Sequence, residues 1–154
     1  MSTSGRGGGW VWLQFAVIPV LVGSGFVPPE WPSGAQRILS VVGLVLAAVG
    51  GAIAVWSSRL LDRGFTPYPR PLASGELVDR GPYRIVRHPI YSAGLLFFAG
   101  YSLYAGVLAL IVTVALGVVW ALKARVEEGF LREHYPGYVA YTSRVRYRLV
   151  PFLY

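Results

Sequence analysis

Long runs without a charged residue constrain this chain more than any other feature. Residues 10–27, 38–58 and 88–122 contain no Asp, Glu, Lys or Arg. The whole chain is 55% hydrophobic and 14% charged, whereas a typical soluble domain is about 25% charged. A membrane helix needs about 20 consecutive apolar residues, so each of the first two runs can span a bilayer once. This pattern argues against a water-soluble enzyme and against a disordered chain.

The third run is too long for one span. A single helix over its 35 residues would reach about 52 Å at 1.5 Å per residue, but the hydrocarbon core is about 30 Å thick. We therefore predict two short helices with a turn between Gly100 and Gly106; one long, tilted helix is the alternative. The predicted fold is an all-α integral membrane bundle of about four transmembrane helices, with a C-terminal segment after them that is helical to about Glu133. The four predicted spans are 10–27, 37–58, 90–103 and 106–123.

The basic residues predict the orientation of these spans. With the N-terminus in the cytoplasm, 13 of the 14 Lys and Arg residues lie on the cytoplasmic side, and only Arg37 lies outside. The positive-inside rule supports this topology, and it explains the net charge of +7 without nucleic acid. We predict an inner- or plasma-membrane protein whose two termini face the cytoplasm, with a basic face toward anionic lipid headgroups.

The chain length indicates one domain. We predict a flexible tail over residues 1–9 and a single membrane domain over residues 10–154. A cleaved signal peptide is the alternative for the first apolar run. The segments 59–89 and 124–154 are then cytoplasmic, and the first of these is a long, Pro-interrupted loop of the kind that often carries function.

The first cytoplasmic segment ends where a helix should begin. Pro89 suits the first helical turn, which puts His88 at the helix N-terminus. Free N–H groups and the helix dipole favour a carboxylate or phosphate ligand there. The alternative is an interfacial cap, with His88 capping the helix and Tyr91 in an aromatic belt.

The second cytoplasmic segment begins with a lysine and two carboxylates. Lys123 and Glu127 are four residues apart and share a helix face. Glu127 and Glu128 follow an apolar span directly, where carboxylates are costly to bury. They either hold a ligand or form ordinary solvated pairs.

Other side chains and motifs point to fewer functions. Two histidines and no cysteine argue against a metal site, and no glycine motif indicates a Rossmann site. The C-terminal segment carries a lone His134, which we expect to be solvated, among tyrosines. These tyrosines are membrane anchors or the wall of an adenine or lipid site: Tyr135, Tyr138, Tyr141 and Tyr147.

The two cytoplasmic segments together resemble a known family. GELVDRGPYRIVRHPIYSAG, followed about thirty residues later by KARVEEGFLREHYPGYVAYTSRV, is similar to the isoprenylcysteine carboxyl methyltransferase family and its relatives among phospholipid methyltransferases. The resemblance covers roughly residues 70–150. It implies a membrane-embedded enzyme with a cofactor-binding loop on the cytoplasmic side, which uses S-adenosylmethionine and releases S-adenosylhomocysteine.

The resemblance also implies the site residues. Lys123 occupies the family's substrate-binding position, and Glu127 the cofactor-orienting carboxylate, so these two are the implied catalytic pair. The implied cofactor-binding residues come from both segments. They are Gly75, Glu76, Leu77, Val78, Tyr83, His88, Pro89, Ile90, Tyr91, Glu127 and Glu128.

The sequence thus predicts methyl transfer to an apolar or amphiphilic acceptor that bears a carboxylate, thiol or amine. It leaves the acceptor and the oligomeric state open. Two alternatives remain: a non-enzymatic lipid-binding or scaffolding protein, and a nicotinamide-dependent membrane reductase.

Overall fold

The computed structural model describes residues 8–28, 30–73 and 75–153, apart from the Arg63 side chain. These ranges contain α-helices, short 3-10 turns and no strand, which confirms the all-α prediction. The helices are α1 (Gly8–Ser24), α2 (Ser33–Leu61), α3 (Pro89–Ala105), α4 (Val107–His134) and α5 (Tyr138–Arg144).

The third apolar run divides as predicted. Gly106 separates α3 from α4 with a φ of 134°, a conformation that strongly favours glycine. α4 continues past the last predicted span to His134, which confirms the prediction of helix to about Glu133. Lys123, Glu127 and Glu128 therefore lie on the same continuous helix as the apolar segment before them, which fixes their spacing rigidly.

The predicted N-terminal tail is too long. Residues 1–7 lie outside the described residues, but α1 begins at Gly8, so the prediction is wrong for residues 8 and 9. Gly8 is buried at the start of this helix, and a helix can begin before the first apolar residue, so the apolar run alone did not show where α1 starts.

Two of the helices, α2 and α4, are long and apolar enough to cross a membrane. Only 11% and 33% of their most apolar windows are buried within the described chain. Apolar surface on this scale needs a cover other than water, which favours a helical membrane protein. α1 and α3 have 17 residues each, which is the short end of the range for a membrane span. Two helices of clear spanning length are present among the described residues, and the total of four spans stays a prediction.

Glycines bring α2 and α3 into close contact. A Cβ atom built on Gly50 would lie 2.6 Å from the Phe97 nitrogen and 2.7 Å from the Ala93 oxygen. Small residues allow backbones to approach in this way when no hydrophobic effect drives helices together in lipid. About two turns earlier on α2, Gly43 approaches Gly100 of α3 in the same way, since a Cβ on Gly43 would meet the Gly100 oxygen.

We expect Gly50→Ala to destabilise the bundle, because the new methyl group would meet backbone atoms that cannot rotate away. The cost of such overpacking is about 1–3 kcal/mol, measured as a lower melting temperature in detergent. Gly51→Ala is the matched control, since the nearest atom to its Cβ would be 4.0 Å away. Equal melting temperatures for the two variants would contradict this packing.

The loop after α2 and the C-terminal segment meet at the start of α3. The loop, residues 62–88, holds 3-10 turns at Asp62–Gly64 and Gly81–Arg84. The Arg87 and His88 amides donate to the Tyr147 and Arg148 carbonyls at 2.9 and 3.0 Å. The Ser92 hydroxyl also donates to the Leu149 carbonyl. These bonds hold the C-terminal segment against the first turn of α3.

Candidate active site

A cavity of about 320 Å³ lies among α1, α2, α3, α4 and the loop. Its volume falls within the range of small-molecule sites. One wall is a face of α4 that presents every third or fourth residue. The members of this face are Trp120, Lys123, Glu127 and Leu131. The opposite walls include most of the predicted cofactor-binding residues, namely Glu76, Leu77, Val78, Tyr83, His88, Pro89, Ile90 and Tyr91.

Glu127 supplies a carboxylate to this cavity. Its Oε2 accepts a hydrogen bond from the Tyr91 hydroxyl at 2.8 Å and lies 3.8 Å from His88 Nδ1. The side chain is 21% exposed. A carboxylate has about four acceptor sites, so Glu127 keeps acceptor capacity for a ligand in the cavity.

Three aromatic rings form a continuous stack along the cavity. The rings of His88 and Tyr91 are parallel within 6° with centroids 5.5 Å apart. The rings of Tyr91 and Trp120 follow at 5.6 Å and 18°. The stack fixes the Tyr91 hydroxyl toward Glu127. Gly94 also lines the cavity and makes room for this stack, since a Cβ there would lie 2.6 Å from the Trp120 ring.

Lys123 lines the cavity, contacts α1 and is only 1% exposed. Its Nζ donates to Gln14 Oε1 at 2.8 Å and to the Pro67 carbonyl at 2.7 Å. It also lies 5.3 Å from the centroid of the Tyr91 ring. The solvated Lys123–Glu127 pair that the helix spacing allowed is therefore not observed.

Glu128 and Gly75 do not line the cavity. The Glu128 carboxylate accepts from Arg87 Nε at 2.8 Å, and from Arg148 Nε and Nη2 at 2.8 and 3.0 Å. It is buried and lies 3.4 Å from His88 Nε2. Glu128 therefore contacts His88 and the two arginines outside the cavity, and it supports His88 without facing a ligand. Gly75 lies under the Tyr135 hydroxyl, which would be 2.6 Å from a Cβ at this position.

Buried tyrosines close the loop side of the site. Burial raises the pKa of the Tyr83, Tyr138 and Tyr141 phenols above the ordinary value, and the nearby charge of Glu127 adds to the rise at Tyr83. All three phenols therefore stay neutral at physiological pH. The Tyr141 hydroxyl donates to the Tyr83 carbonyl at 2.7 Å.

The Tyr138 hydroxyl, on a cavity-lining residue, is buried and has no hydrogen-bond partner within the described ranges. Buried polar atoms are rarely left unpaired in native proteins. A polar ligand in the cavity could pair with the Tyr138 hydroxyl, which is evidence that the site is built to hold one.

Several lining residues were not predicted from the sequence, among them Gln14, Pro67, Gly94, Trp120 and Leu131. Gln14 carried a usable signal, because an amide side chain inside an apolar run is costly unless it has a role. His134 is exposed, as expected. The part of the chain that the structure describes holds no group of three or more residues that could bind a metal ion.

The chain is similar to a family of methyltransferases and to two bacterial metal-resistance proteins. Residues 38–137 match the family model described as phospholipid methyltransferase. The chain is 28% identical over 145 residues to the cobalt-zinc-cadmium resistance protein CzcN of Cupriavidus metallidurans. This match includes 92% of the present chain and 62% of CzcN. It is 26% identical over 145 residues to the nickel-cobalt-cadmium resistance protein NccN of Alcaligenes xylosoxydans xylosoxydans, and this match includes 92% of the present chain and 63% of NccN. The chain thus spans less than two thirds of the length of these curated relatives.

Proposed function

Since the chain belongs to the phospholipid methyltransferase family, we propose that it is a membrane methyltransferase that binds S-adenosylmethionine in this cavity and methylates an apolar or amphiphilic acceptor. One observation carries the proposal. A single cavity joins a carboxylate with acceptor capacity to spare, Glu127, to a buried lysine, Lys123, which lies against α1 and the Pro67 carbonyl. The polar cofactor suits Glu127, and an amphiphile that arrives from the bilayer suits Lys123.

The residues near the loop fit S-adenosylmethionine by their chemistry. Glu127 can accept hydrogen bonds from ribose hydroxyls or from the ammonium group. The Tyr138 hydroxyl, which lacks a partner among the described residues, can donate to a cofactor oxygen or nitrogen. Leu77 and Val78 with the neighbouring tyrosines offer an apolar and aromatic wall for adenine.

The end near the helices fits an amphiphile. Ala54, Leu61 and Gly94 line the cavity from α2 and α3, and these helices leave apolar faces exposed. An acyl or prenyl chain could therefore remain among the helices while its headgroup reaches Lys123. The ammonium would attract an anionic headgroup and position it.

The proposed chemistry asks little of the protein beyond alignment. When bound, the cofactor supplies an electrophilic methyl group on its sulfonium, which is transferred to an acceptor lone pair as the carbon–sulfur bond breaks. Glu127, held by Tyr91, fixes the cofactor in orientation, and Lys123 fixes the acceptor. Aromatic walls exclude water, and such preorganisation is a large source of rate. The neutral tyrosines do not compete as nucleophiles.

The test is transfer of a labelled methyl group by protein held in nanodiscs. We expect label from S-[methyl-³H]adenosylmethionine in the organic extract when N-acetyl-S-farnesylcysteine or phosphatidylethanolamine is supplied. Glu127→Ala should give none, and Gly51→Ala should match the wild type. Folded wild-type protein that transfers no label to any lipid of a total membrane extract would contradict the proposed function.

A further inference from the structure

Gln14 is the only α1 side chain that lines the cavity. It is 8% exposed and lies within the first apolar run. The residues that match the family model begin at position 38, so the family match does not assign a role to α1. The contacts of Gln14 indicate a role for α1 at the cavity.

One atom of Gln14 holds two cavity residues together. Its Oε1 accepts from Lys123 Nζ at 2.8 Å and from Trp120 Nε1 at 3.3 Å. A carbonyl oxygen has two lone pairs, so both are used. Lys123 and Trp120 are about one turn apart on α4 and both line the cavity. The amide of Gln14 therefore sets the position of both side chains from the opposite helix.

The same contact gives the Lys123 ammonium a neutral hydrogen-bond partner in place of a close ion pair. Both hydrogen-bond acceptors of the ammonium, Gln14 Oε1 and the Pro67 carbonyl, are neutral. Within the described residues no carboxylate oxygen forms an ion pair with Nζ, and the Glu127 carboxylate one turn away is held by Tyr91. Buried charges are normally paired, and an ammonium has a third N–H bond to offer. An anionic ligand would complete this arrangement.

We infer that Gln14 is a positioning and specificity-determining residue: by holding Lys123 with a neutral acceptor, it reserves the lysine charge for an anionic headgroup on the acceptor. The inference rests on the proposed function for the identity of the acceptor as a substrate. A glutamate at this position would accept the same two hydrogen bonds but would form an ion pair with Lys123. The electrostatic attraction between Lys123 and an anionic headgroup would then be lost.

The experiment compares two amphiphiles that differ only in headgroup charge. N-acetyl-S-farnesylcysteine carries a carboxylate, and its amide is neutral. Binding of each to the full chain in nanodiscs is measured by calorimetry, with no cofactor present. We expect the wild type to bind the carboxylate at least about tenfold more tightly than the amide, as for a charge-assisted contact. In Gln14→Glu, the ratio should fall to about one, with amide affinity unchanged.

Two further variants separate positioning from folding. Gln14→Met keeps the volume but removes the acceptor, so Lys123 and Trp120 lose their shared anchor and carboxylate affinity should fall while amide affinity stays. Thr113→Val is the matched control, because Thr113 is also a buried polar residue in a helix but does not line the cavity; its ratio should equal that of the wild type. Melting temperatures confirm that each variant is folded.

The ratio of carboxylate to amide affinity tests the role of Gln14 separately from methyl transfer. A ratio that survives in Gln14→Glu, or a wild type without preference for the carboxylate, would overturn it. Because the comparison needs neither S-adenosylmethionine nor turnover, it can succeed even if methyl transfer fails. Conversely, labelled methyl transfer with an unchanged headgroup preference in Gln14→Glu would leave the proposed function standing and remove the role of Gln14.

Discussion

We expect Glu127→Ala to abolish measurable binding of S-adenosylmethionine while the protein remains folded. Glu127 is the acidic cavity residue on α4, and Tyr91 already fixes its carboxylate. A hydrogen bond to a charged group contributes about 1.5–3 kcal/mol. Loss of two such bonds to the cofactor would weaken binding by a factor of at least about 100. The measurement is calorimetric titration of protein in nanodiscs.

A graded series makes this result specific. Tyr91→Phe keeps the carboxylate but removes the bond that orients it, so we expect a smaller loss of affinity, about tenfold. Glu133→Ala is the matched control, because Glu133 is an exposed carboxylate on the same helix and does not line the cavity. If Glu133→Ala and Glu127→Ala weaken cofactor binding equally, Glu127 does not act as proposed.

The second large effect concerns stability. We expect Glu128→Leu to destabilise the fold by about 3–5 kcal/mol, because it leaves Arg87 and Arg148 without their shared carboxylate. Arg87 has a side chain only 10% exposed, so water cannot replace the lost partner well. The melting temperature in detergent should fall by roughly 10 °C. Cofactor affinity should fall as well, since the pairs hold the loop that carries His88.

An exposed pair provides the comparison for Glu128. Arg144 Nη2 lies 2.8 Å from Asp79 Oδ2, but the two side chains are 64% and 55% exposed. Such pairs contribute about 0–1 kcal/mol. Asp79→Asn should therefore leave the melting temperature nearly unchanged. A small effect of Glu128→Leu, similar to that of Asp79→Asn, would contradict the role of Glu128 as the anchor of the C-terminal segment.

The helices could be predicted because their signals are local. Charge-free runs indicated apolar helices, and the length of the third run required a break that the structure puts at Gly106. The number of full spans was harder. α1 and α3 are apolar but short, and the sequence shows how apolar a segment is more clearly than how far its helix continues. The end of α4 at His134 was predicted to within one residue, because the charged residues after the span keep a helical pattern to about Glu133.

The site was predictable where a local motif or helix spacing indicates the residue. Glu127, His88 and Tyr91 follow from the motif and from helix spacing, and the structure brings all three to one cavity. Glu128 was grouped with Glu127 because the two are adjacent. A helix turns by about 100° per residue, so Glu128 points to Arg87 and Arg148 instead. The partner of Lys123 could not be predicted, since Gln14 is 109 residues away in the chain and only tertiary packing joins them.

The central claim is that the cavity between the loop and α4 is a site for S-adenosylmethionine. The most direct measurement is calorimetric titration of S-adenosylmethionine and S-adenosylhomocysteine into the full chain in nanodiscs. The account predicts one site per chain with micromolar affinity for both, which is lost in Glu127→Ala and kept in Glu133→Ala. Absence of binding to wild-type protein with a normal melting transition would contradict it.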